Sequence, residues 1–287
     1  MIPITPTLVA EKLPFRPDDA HKGTMGTMLN ISGSYSMAGA CILSSLSALK
    51  CGVGLLKTAL PKSIYPLVAS QVYEAVFLPY ESDSGAVNIG FLDTALENAD
   101  SADSVLLGCG LSLCDDSIAF VESFVKNCKT KMLVDADGIN ALSQNINILK
   151  EKEADIVLTP HIKEMSRLTK LSTEHILENR VEVAVDFAKE NSVVVVLKGK
   201  NTIVTDGESV FVNPTGNSGM AKGGSGDVLS GIIASFMAQG LSTLDASVVG
   251  VYIHGLSGDL AADELSKTSM LPSDIIKYLP QIFKAIE

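Results

Sequence analysis

Residues 215–231 read T-G-N-S-G-M-A-K-G-G-S-G-D-V-L-S-G, and six of these seventeen residues are glycine. An apolar run from Val228 to Met237 follows at once. Glycine lets the backbone turn sharply and lets a ligand come close, so the pattern predicts a tight turn that leads into a helix. The free N–H groups of the first helical turn, with the positive end of the helix dipole, favour an anion. The stretch therefore predicts a site for a phosphate or for another developing negative charge.

One carboxylate, Asp227, lies inside this cluster of N–H donors. Because the field there favours anions, we expect the carboxylate to stay ionised and to be available as a base or as a partner for a metal ion. The alternative is structural, since an acidic residue in the first turn stabilises a helix whether or not a ligand is present. For a glycine turn with one acid the two interpretations are about equally supported, so the surrounding sequence must decide.

Outside this stretch the chain alternates short apolar strands with helices. Strands are predicted at 28–31, 54–60, 104–107, 131–134, 155–158 and 193–197, with a hairpin at 202–212 around Asp206 and Gly207. Helices are predicted at 5–12, 36–50, 91–98, 117–126, 173–190, 243–265 and 272–285, and a surface loop at 81–90. This alternation is typical of a parallel sheet that is covered on both faces. Since no repeat or linker interrupts it, we expect one α/β domain over residues 1–287.

Glycine and charged residues follow the C-terminal ends of four predicted strands, which is where such sheets bind ligands. They are Gly108–Gly110, Asp135–Asp137, His161 and Lys198–Thr202. Turn formation explains part of this clustering, because glycine, aspartate and proline commonly end strands. Because such residues follow four separate strands, they nevertheless indicate a binding site at this edge of the sheet.

Each of these polar residues has a structural and a functional interpretation. Asp135 and Asp137 either hold a metal ion through water or cap the next helix, and capping is slightly favoured. His161 is a helix-start residue by default, with a ligand contact as the alternative. Lys198 precedes a glycine and suits a nucleotide phosphate or ribose, unless it is only a solvated strand end. His254, which lies in an apolar helix, is predicted to be a satisfied core histidine rather than a catalyst.

The composition limits the possible partners. The 287 residues are 46% hydrophobic and carry 22 Lys and Arg against 33 Asp and Glu, a formal charge of −11. An acidic chain without basic runs is a poor candidate for binding nucleic acid or an anionic membrane, so we expect neither partner. Backbone N–H groups can still bind a phosphorylated small molecule, because they need no net positive charge.

Cysteine usage and the N-terminus point to the cytoplasm. The five cysteines include no C-x-x-C pair, which argues against a zinc site or a disulfide framework, and we expect reduced core thiols. The N-terminus lacks the basic and apolar segments of a signal peptide. No apolar run approaches the roughly 18 residues that a membrane span needs.

Several motifs, in order along the chain, resemble those of the ADP-dependent NAD(P)H-hydrate dehydratases, which are relatives of the ribokinase-like kinases. They are K-G-T-M-G-T-M-L-N-I-S-G-S from residue 22, L-V-D-A-D-G-I-N-A-L from 133, L-T-P-H-I-K-E-M from 158, K-G-K-N-T from 198, G-N-S-G-M-A-K-G-G-S-G-D-V-L-S-G-I-I-A from 216 and G-V-Y-I-H-G-L-S-G-D-L-A-A from 250. The match extends over most of the chain. Ser218 and Cys109 stand where proline is common, Lys222 stands where threonine is usual, and Ile162–Lys163 replaces Pro-Gly.

The resemblance implies a three-layer α/β/α sandwich of the ribokinase-like type with a mostly parallel central sheet. It implies a metabolite-repair hydro-lyase that converts the S epimer of the hydrated cofactor NAD(P)HX to NAD(P)H, while ADP gives AMP and phosphate. Asp227 would be the catalytic base. The hydrate would be bound by Ala40, Gly110, His161 and Asp227. ADP, or ATP in its place, would be bound by Lys198, Gly199, Lys200, Asn201, Thr202, Asn217, Gly224 and Gly226.

The resemblance also implies Mg²⁺ as a cofactor, with no protein ligand assigned to it, and a cytoplasmic homo-oligomer, specifically a homotetramer. The epimerase domain that some relatives carry is not expected within these residues, because the dehydratase-like pattern accounts for all of them.

Two other functions stay open at this point. One is a kinase of the same fold that acts on a small alcohol such as a vitamin precursor; it shares the G-x-G-D motif and differs in its substrate pocket. The other is a nucleotide-binding sensor without turnover, against which the intact Asp227 argues. Release of a phosphorylated alcohol would establish the kinase, and nucleotide binding without product would support the sensor.

Overall fold

The computed structural model describes residues 1–286, and these contain one ten-stranded sheet. Its strands are β1 (Ile2–Pro3), β2 (Thr27–Ile31), β3 (Leu55–Pro61), β4 (Val76–Tyr80), β5 (Ser104–Leu107), β6 (Met132–Val134), β7 (Ile156–Leu158), β8 (Val194–Leu197), β9 (Ile203–Thr205) and β10 (Val210–Val212). The helices are α1 (Pro6–Lys12), α2 (Ala38–Lys50), α3 (Tyr65–Ala69), α4 (Leu92–Asp100), α5 (Asp115–Asn127), α6 (Asp137–Leu142), α7 (Ile148–Glu151), α8 (Ile162–Thr169), α9 (Thr173–Glu178), α10 (Arg180–Asn191), α11 (Ser225–Ala238), α12 (Thr243–Leu265) and α13 (Pro272–Ile286). Short 3₁₀ helices lie at Lys62–Ile64, Ile89–Phe91 and Ser218–Met220.

The sheet is mostly parallel, as predicted. Its strands are ordered β1-β10-β9-β8-β7-β6-β5-β2-β3-β4, and only β9 runs antiparallel to its neighbours. β9 and β10 form the predicted hairpin. Its turn is closed by Asp206 Oδ1, which accepts hydrogen bonds from the N–H groups of Glu208 (3.0 Å) and Ser209 (2.7 Å), and by Gly207, whose φ is +94°.

Side chains along the central strands alternate between the two larger of three hydrophobic clusters. On β5, Val105 and Leu107 pack into one core and Leu106 into the other. Helices α4 to α10 cover the first core, and α1, α2 and α11 to α13 cover the second. A strand that is apolar on both faces needs a helical layer on each side. The three-layer α/β/α sandwich is therefore confirmed.

Small residues let α2 and α11 pack closely. A Cβ atom on Gly231 would lie 2.1 Å from Ser47 Oγ and 2.2 Å from the Ser44 carbonyl oxygen, so only glycine fits there. The small residues of the helix predicted at 36–50 thus serve a neighbouring helix. This contact holds the middle of α11 against α2.

Three predictions about local structure were incomplete. β4 was missed because Pro79 interrupts its apolar run, yet an edge strand tolerates proline. The helix predicted at 173–190 is divided into α9 and α10 at Asn179, whose φ of −124° and ψ of 36° are not helical. The loop predicted at 81–90 does not lie wholly on the surface, because Ala86 and Val87 are buried.

The strand order creates a crevice beside β2 and β5. The chain proceeds from β2 through β3 to β4 on one side, and from β5 through β6 and β7 to β8 on the other. At such a switch point, loops from the C-terminal ends of the two central strands separate and leave room for a ligand. The segments that follow β5, β6, β7 and β8 are those that the sequence marked as a binding site.

Cys41, Cys51, Cys109 and Cys128 are buried and free, as predicted for reduced core thiols, whereas Cys114 is free but only half-buried. Among the described residues, no helix combines the length and the hydrophobicity that crossing a membrane requires.

Candidate active site

A cavity of about 1270 Å³ opens at the C-terminal ends of the strands. Every residue that the resemblance assigns to a ligand lines it: Ala40, Gly110, His161, Lys198, Gly199, Lys200, Asn201, Thr202, Asn217, Gly224, Gly226 and Asp227. They come from separate segments of the chain, and the fold brings all of them together. Their individual roles remain predictions.

The glycine-rich stretch forms the predicted turn into a helix, with α11 beginning at Ser225. Gly224 immediately before it has a φ of +101°, a conformation that costs residues with a Cβ atom free energy. Within residues 1–286, the N–H groups of Gly223 and Gly224 make no backbone hydrogen bond, whereas the Ser225 N–H donates to the Lys222 carbonyl at 3.2 Å. The turn therefore presents free donors to the cavity.

The preceding part of this stretch is held by Asp259 on α12. Its carboxylate accepts hydrogen bonds from the Gly216 N–H and from Asn217 Nδ2, both at 2.9 Å. Asn217 Oδ1 accepts from the Gly219 N–H, also at 2.9 Å. Asn217 thus uses both ends of its side-chain amide within the protein, which gives it a structural task in addition to the nucleotide contact that was predicted.

Asp227 lies in the first turn of α11 and lines the cavity. Burial and, to a smaller extent, the neighbouring Asp135 raise the pKa of its carboxyl group to about 6, against the lowering effect of the Cys109 thiol. The sequence led us to expect that the helix dipole would dominate; desolvation is the larger effect. The carboxylate is still mostly ionised at neutral pH, and it is more basic than an exposed aspartate.

Asp135, at the end of β6, forms a buried ion pair with Lys198. Lys198 Nζ lies 2.8 Å from Asp135 Oδ1, and Ser230 Oγ donates to Asp135 Oδ2 at 2.7 Å. Burial alone would raise the pKa of Asp135, but Lys198 and Ser230 hold it below its usual range. Burial alone would lower the pKa of Lys198, but Asp135 and Glu164 hold it above its usual range. Both partners are therefore charged at neutral pH.

The capping interpretation of the two aspartates was wrong. The residue before α6 is Ala136, and it makes no side-chain capping bond. Asp135 is instead occupied by the ion pair, while Asp137 Oδ2 accepts a hydrogen bond from the Ser112 N–H at 2.9 Å. Asp137 thereby fixes the loop that follows Gly110. The pairing with Lys198 could not be seen locally, because the partners are 63 positions apart.

His161 begins α8 as predicted and shares a capping box with Glu164. His161 Nδ1 accepts from the Glu164 N–H at 3.1 Å, and Glu164 Oε2 accepts from the His161 N–H at 2.7 Å. Burial and the nearby Lys198 lower the pKa of His161, so its imidazole is neutral at pH 7. Burial raises the pKa of Glu164 to about 7, against the opposing effect of Lys198 at 3.8 Å.

His254 is buried on α12 and lines the cavity, but it is not the satisfied core histidine that was predicted. Its Nε2 atom has no hydrogen-bond partner within the described chain. Burial lowers the pKa of His254 to about 4, so this side chain is a neutral imidazole at the wall of the cavity. The apolar sequence of the helix around His254 did not indicate that its side chain would line a cavity.

A family model described as NAD(P)H-hydrate dehydratase matches residues 28–281. The chain belongs to this family. Its relatives include the bifunctional NAD(P)H-hydrate repair enzyme of Moorella thermoacetica, which is 36% identical over 287 residues, covering 99% of this chain and 54% of the relative. The ADP-dependent (S)-NAD(P)H-hydrate dehydratase of Bacillus subtilis is 31% identical over 281 residues, covering 97% and 96% of the two chains. The chain spans about half the length of the bifunctional relatives that it matches.

Two solved structures have the same fold as this chain. The ADP/ATP-dependent NAD(P)H-hydrate dehydratase from Bacillus subtilis, co-crystallised with ATP and Mg²⁺, has a TM-score of 0.84 at 29% identity and covers 100% of this chain and 99% of that chain. A ribokinase-like superfamily protein from Enterococcus faecalis has a TM-score of 0.85 at 26% identity, covering 100% and 96%. The ribokinase-like architecture is therefore confirmed.

Sequence reasoning overlooked three residues in and around this cavity: Glu164, Ser230 and Asp259. Two of them carried a usable signal. Glu164 stands three residues after His161, the spacing of a capping box. Ser230 stands three residues after Asp227 and therefore lies on the same side of α11. Asp259 gave no comparable signal, because its partners come from a different segment.

Proposed function

We propose that this chain is an ADP-dependent dehydratase that converts the S epimer of NAD(P)HX to NAD(P)H. One observation carries the proposal: Asp227, a half-buried carboxylate with a pKa of about 6, shares one cavity with every residue assigned to the hydrate and to the nucleotide. A base whose pKa lies just below the working pH is ionised and still accepts a proton readily. The name of the Bacillus subtilis relative supports the choice of ADP and of the S epimer.

The reaction needs a better leaving group than hydroxide. Asp227 accepts the proton of the ring hydroxyl, the hydroxyl oxygen forms a bond to the terminal phosphorus of ADP, and the phosphoanhydride bond breaks to release AMP. The C–O bond of the phosphorylated ring then breaks, the neighbouring carbon loses a proton, and inorganic phosphate leaves. NAD(P)H, AMP and phosphate are the products, and no oxidant or reductant is required.

The glycine turn supplies the electrostatic part of this chemistry. The free N–H groups of Gly223 and Gly224 lie at the positive end of α11, next to Asp227. Donors in such a position stabilise the negative charge that develops on a transferred phosphoryl group, without having to reorganise first. Lys198, held by Asp135, adds a positive charge on the side of the cavity where residues 198–202 lie.

The residues of this cavity fit Mg²⁺. One oxygen each of Asp135 and Asp227 lies within 4.8 Å of the other and of Cys109 Sγ. Mg²⁺ prefers oxygen ligands and is commonly bound by one or two carboxylates, water and substrate phosphates. Asp135, acting through water, would hold the ion together with the nucleotide phosphates, and Asp227 would stay free to act as the base. When bound, Mg²⁺ would neutralise charge on the phosphates.

We further propose that residues 1–287 act as one domain, in the cytoplasm, in a homotetramer. The formal charge of −11 and the absence of basic runs support a protein that binds neither nucleic acid nor membrane. Exposed apolar side chains such as Phe15, Tyr35 and Tyr73 supply surface that subunit contacts would cover. Light scattering of the purified chain measures the assembly directly.

The test is recovery of reduced-nicotinamide absorbance from the S epimer of NADHX in the presence of ADP, with ATP in a parallel reaction. We expect NADH to appear with release of AMP and phosphate, and Asp227→Asn to lack this activity. Accumulation of a phosphorylated alcohol, when a small alcohol replaces the hydrate, would identify the chain as a kinase. Nucleotide binding without any product would identify it as a sensor.

A further inference from the structure

The loop formed by residues 198–202 has an unusual backbone. Gly199 has a φ of +147° and Asn201 a φ of +55°, so two of its five residues adopt left-handed conformations. The ends of the loop are anchored by the backbone: the Lys198 N–H donates to the Pro160 carbonyl, and the Thr202 carbonyl accepts from the Asn213 N–H, both at 2.9 Å. These contacts leave the carbonyl groups in the middle of the loop without a backbone partner.

Arg180 supplies the missing partners. Its Nη1 atom donates to the Lys200 carbonyl at 2.6 Å, and its Nη2 atom lies 3.3 Å from the Asn201 carbonyl and 3.4 Å from the Leu197 carbonyl. One planar guanidinium group thus contacts two adjacent carbonyl groups in the loop and a third at the end of β8. Such charge-assisted bonds are stronger than neutral ones, and the fixed fork of arginine imposes a geometry that lysine cannot copy.

Arg180 approaches the loop from outside the large cavity. It lines a separate cavity of about 490 Å³, together with Leu177 and Ile203. Asn201 lines both cavities, so the loop forms a thin wall between them. Within residues 1–286, Arg180 forms no ion pair, and its Nε atom has no hydrogen-bond partner. The hydrogen bonds that this half-buried cation does make are therefore directed at the loop.

From these contacts we infer that Arg180 is a positioning residue for the adenine nucleotide. It holds residues 198–202 in the conformation that receives the nucleotide, without touching the nucleotide itself. The inference rests on the proposed function, because that proposal assigns the nucleotide to this loop. If the guanidinium were lost, the loop would retain its anchored ends and lose the support of its centre. Displacement of such a loop by about 1 Å is enough to weaken its contacts strongly.

The experiment compares ADP binding by the wild type, Arg180→Ala and Arg16→Ala in titration calorimetry. Arg16 is the matched control: its guanidinium also bonds a backbone carbonyl, that of Gly52 at 3.4 Å, far from the cavity on the exposed surface. We expect Arg180→Ala to raise the ADP dissociation constant about tenfold or more, and Arg16→Ala to leave it unchanged. Added methylguanidinium should restore part of the affinity of Arg180→Ala.

Steady-state kinetics separates positioning from general damage. The KM for ADP should rise in Arg180→Ala, while the KM for the hydrate and kcat at saturating ADP stay within about twofold of wild type. ADP affinity equal to wild type would overturn the inference, as would a rise in the hydrate KM as large as that in the ADP KM. If Arg180→Ala does not fold, Arg180→Lys takes its place with a several-fold loss expected, and unchanged affinity would overturn the inference. Wild-type protein that binds ADP but does not convert the hydrate would contradict the proposed function alone.

Discussion

Lys198 Nζ lies 2.8 Å from Asp135 Oδ1, so a cation assigned to the nucleotide is also one half of an internal ion pair. The Asp135 side chain is only 2% exposed and that of Lys198 19%. A charge in such a place is stable only with its partner, because the cost of removing it from water is high. The affinity of the cavity for the nucleotide and the stability of the fold are therefore linked through one contact.

Asp135→Asn should destabilise the protein by about 3–5 kcal/mol, because the substitution leaves Lys198 charged and unpaired. Thermal and chemical unfolding measure the loss. The pKa of Asp135 is lowered by folding, so the ion pair contributes above the unfolded value and is lost as pH falls through the folded value. The difference between wild type and Asp135→Asn should therefore shrink in acid. A difference that stays constant down to low pH would contradict the charged pair.

Removing both charges should separate stability from nucleotide affinity. In the double variant Asp135→Asn with Lys198→Met, neither member of the ion pair is left charged and alone, and the stability should return to within about 1–2 kcal/mol of wild type. The KM for ADP should nevertheless stay well above that of wild type, and the KM for the hydrate should change much less. A raised hydrate KM with an unchanged ADP KM would place the two ligands the other way round.

Asp227→Asn should retain the fold and nucleotide binding and lose nearly all turnover, since removal of a general base costs about 10²–10⁴-fold in rate. In the wild type, turnover should fall as pH drops through about 6, where Asp227 becomes protonated. A rate-against-pH profile and a nucleotide titration measure the two effects. If Asp227→Asn runs near the wild-type rate, Asp227 is only a residue of the helix start.

The same substitution should raise the melting temperature at neutral pH. Folding raises the pKa of Asp227 from 3.8 to about 6, so the ionised form is less stable in the folded protein than in the unfolded chain. Well below the unfolded value of 3.8 both states are protonated, and Asp227→Asn should then equal wild type. Above pH 6 the variant should gain about 1–2 kcal/mol. Scanning calorimetry at both pH values measures the difference in melting temperature between Asp227→Asn and wild type. A higher melting temperature of the variant in acid alone would contradict the upward shift in the pKa of Asp227.

Gly224→Ala should abolish phosphoryl transfer, whereas Gly240→Ala should not. Both glycines have a φ near +100°, namely +101° and +102°. A Cβ on Gly240 would meet open space, while one on Gly224 would lie 2.7 Å from Leu43 Cδ1 at the edge of the cavity. Each substitution should cost roughly 1–2 kcal/mol of stability through the backbone conformation. Comparable melting with activity lost only in Gly224→Ala is the expected result; normal turnover by Gly224→Ala would contradict the anion site.

The edge of the sheet at which the site forms could be predicted, because the C-terminal end of each strand can be located from the local sequence. Apolar runs locate the strands, and parallel strands end on one side of the sheet, so the residues that follow them meet. Which of these residues contact one another at this edge could not be predicted. Asp135 and Lys198 meet because β7 alone separates β6 from β8 in the sheet, which is a property of the strand order. The upward shift in the pKa of Asp227 was also missed, since desolvation depends on the packing of the whole cavity.

The break between α9 and α10 illustrates a different limit. The apolar spacing of residues 173–190 predicts one helix, and no glycine or proline signals an interruption. The non-helical Asn179 nevertheless makes Arg180 the first residue of α10. Its contacts with the 198–202 loop, 20 positions away at Lys200, belong to tertiary structure and leave no trace in the local pattern.

Arg180 and Asp227 belong to opposite outer layers of the sandwich, one on α10 and the other on α11. The sheet between them acts as a spacer, and its thickness and twist set how far the Asp227 carboxylate stands from the loop that Arg180 contacts. Substitutions deep in β7 or β8, remote from any ligand, would therefore alter catalysis by changing the spacing between two helical layers. The distance between these two groups therefore depends on how all three layers of the fold pack.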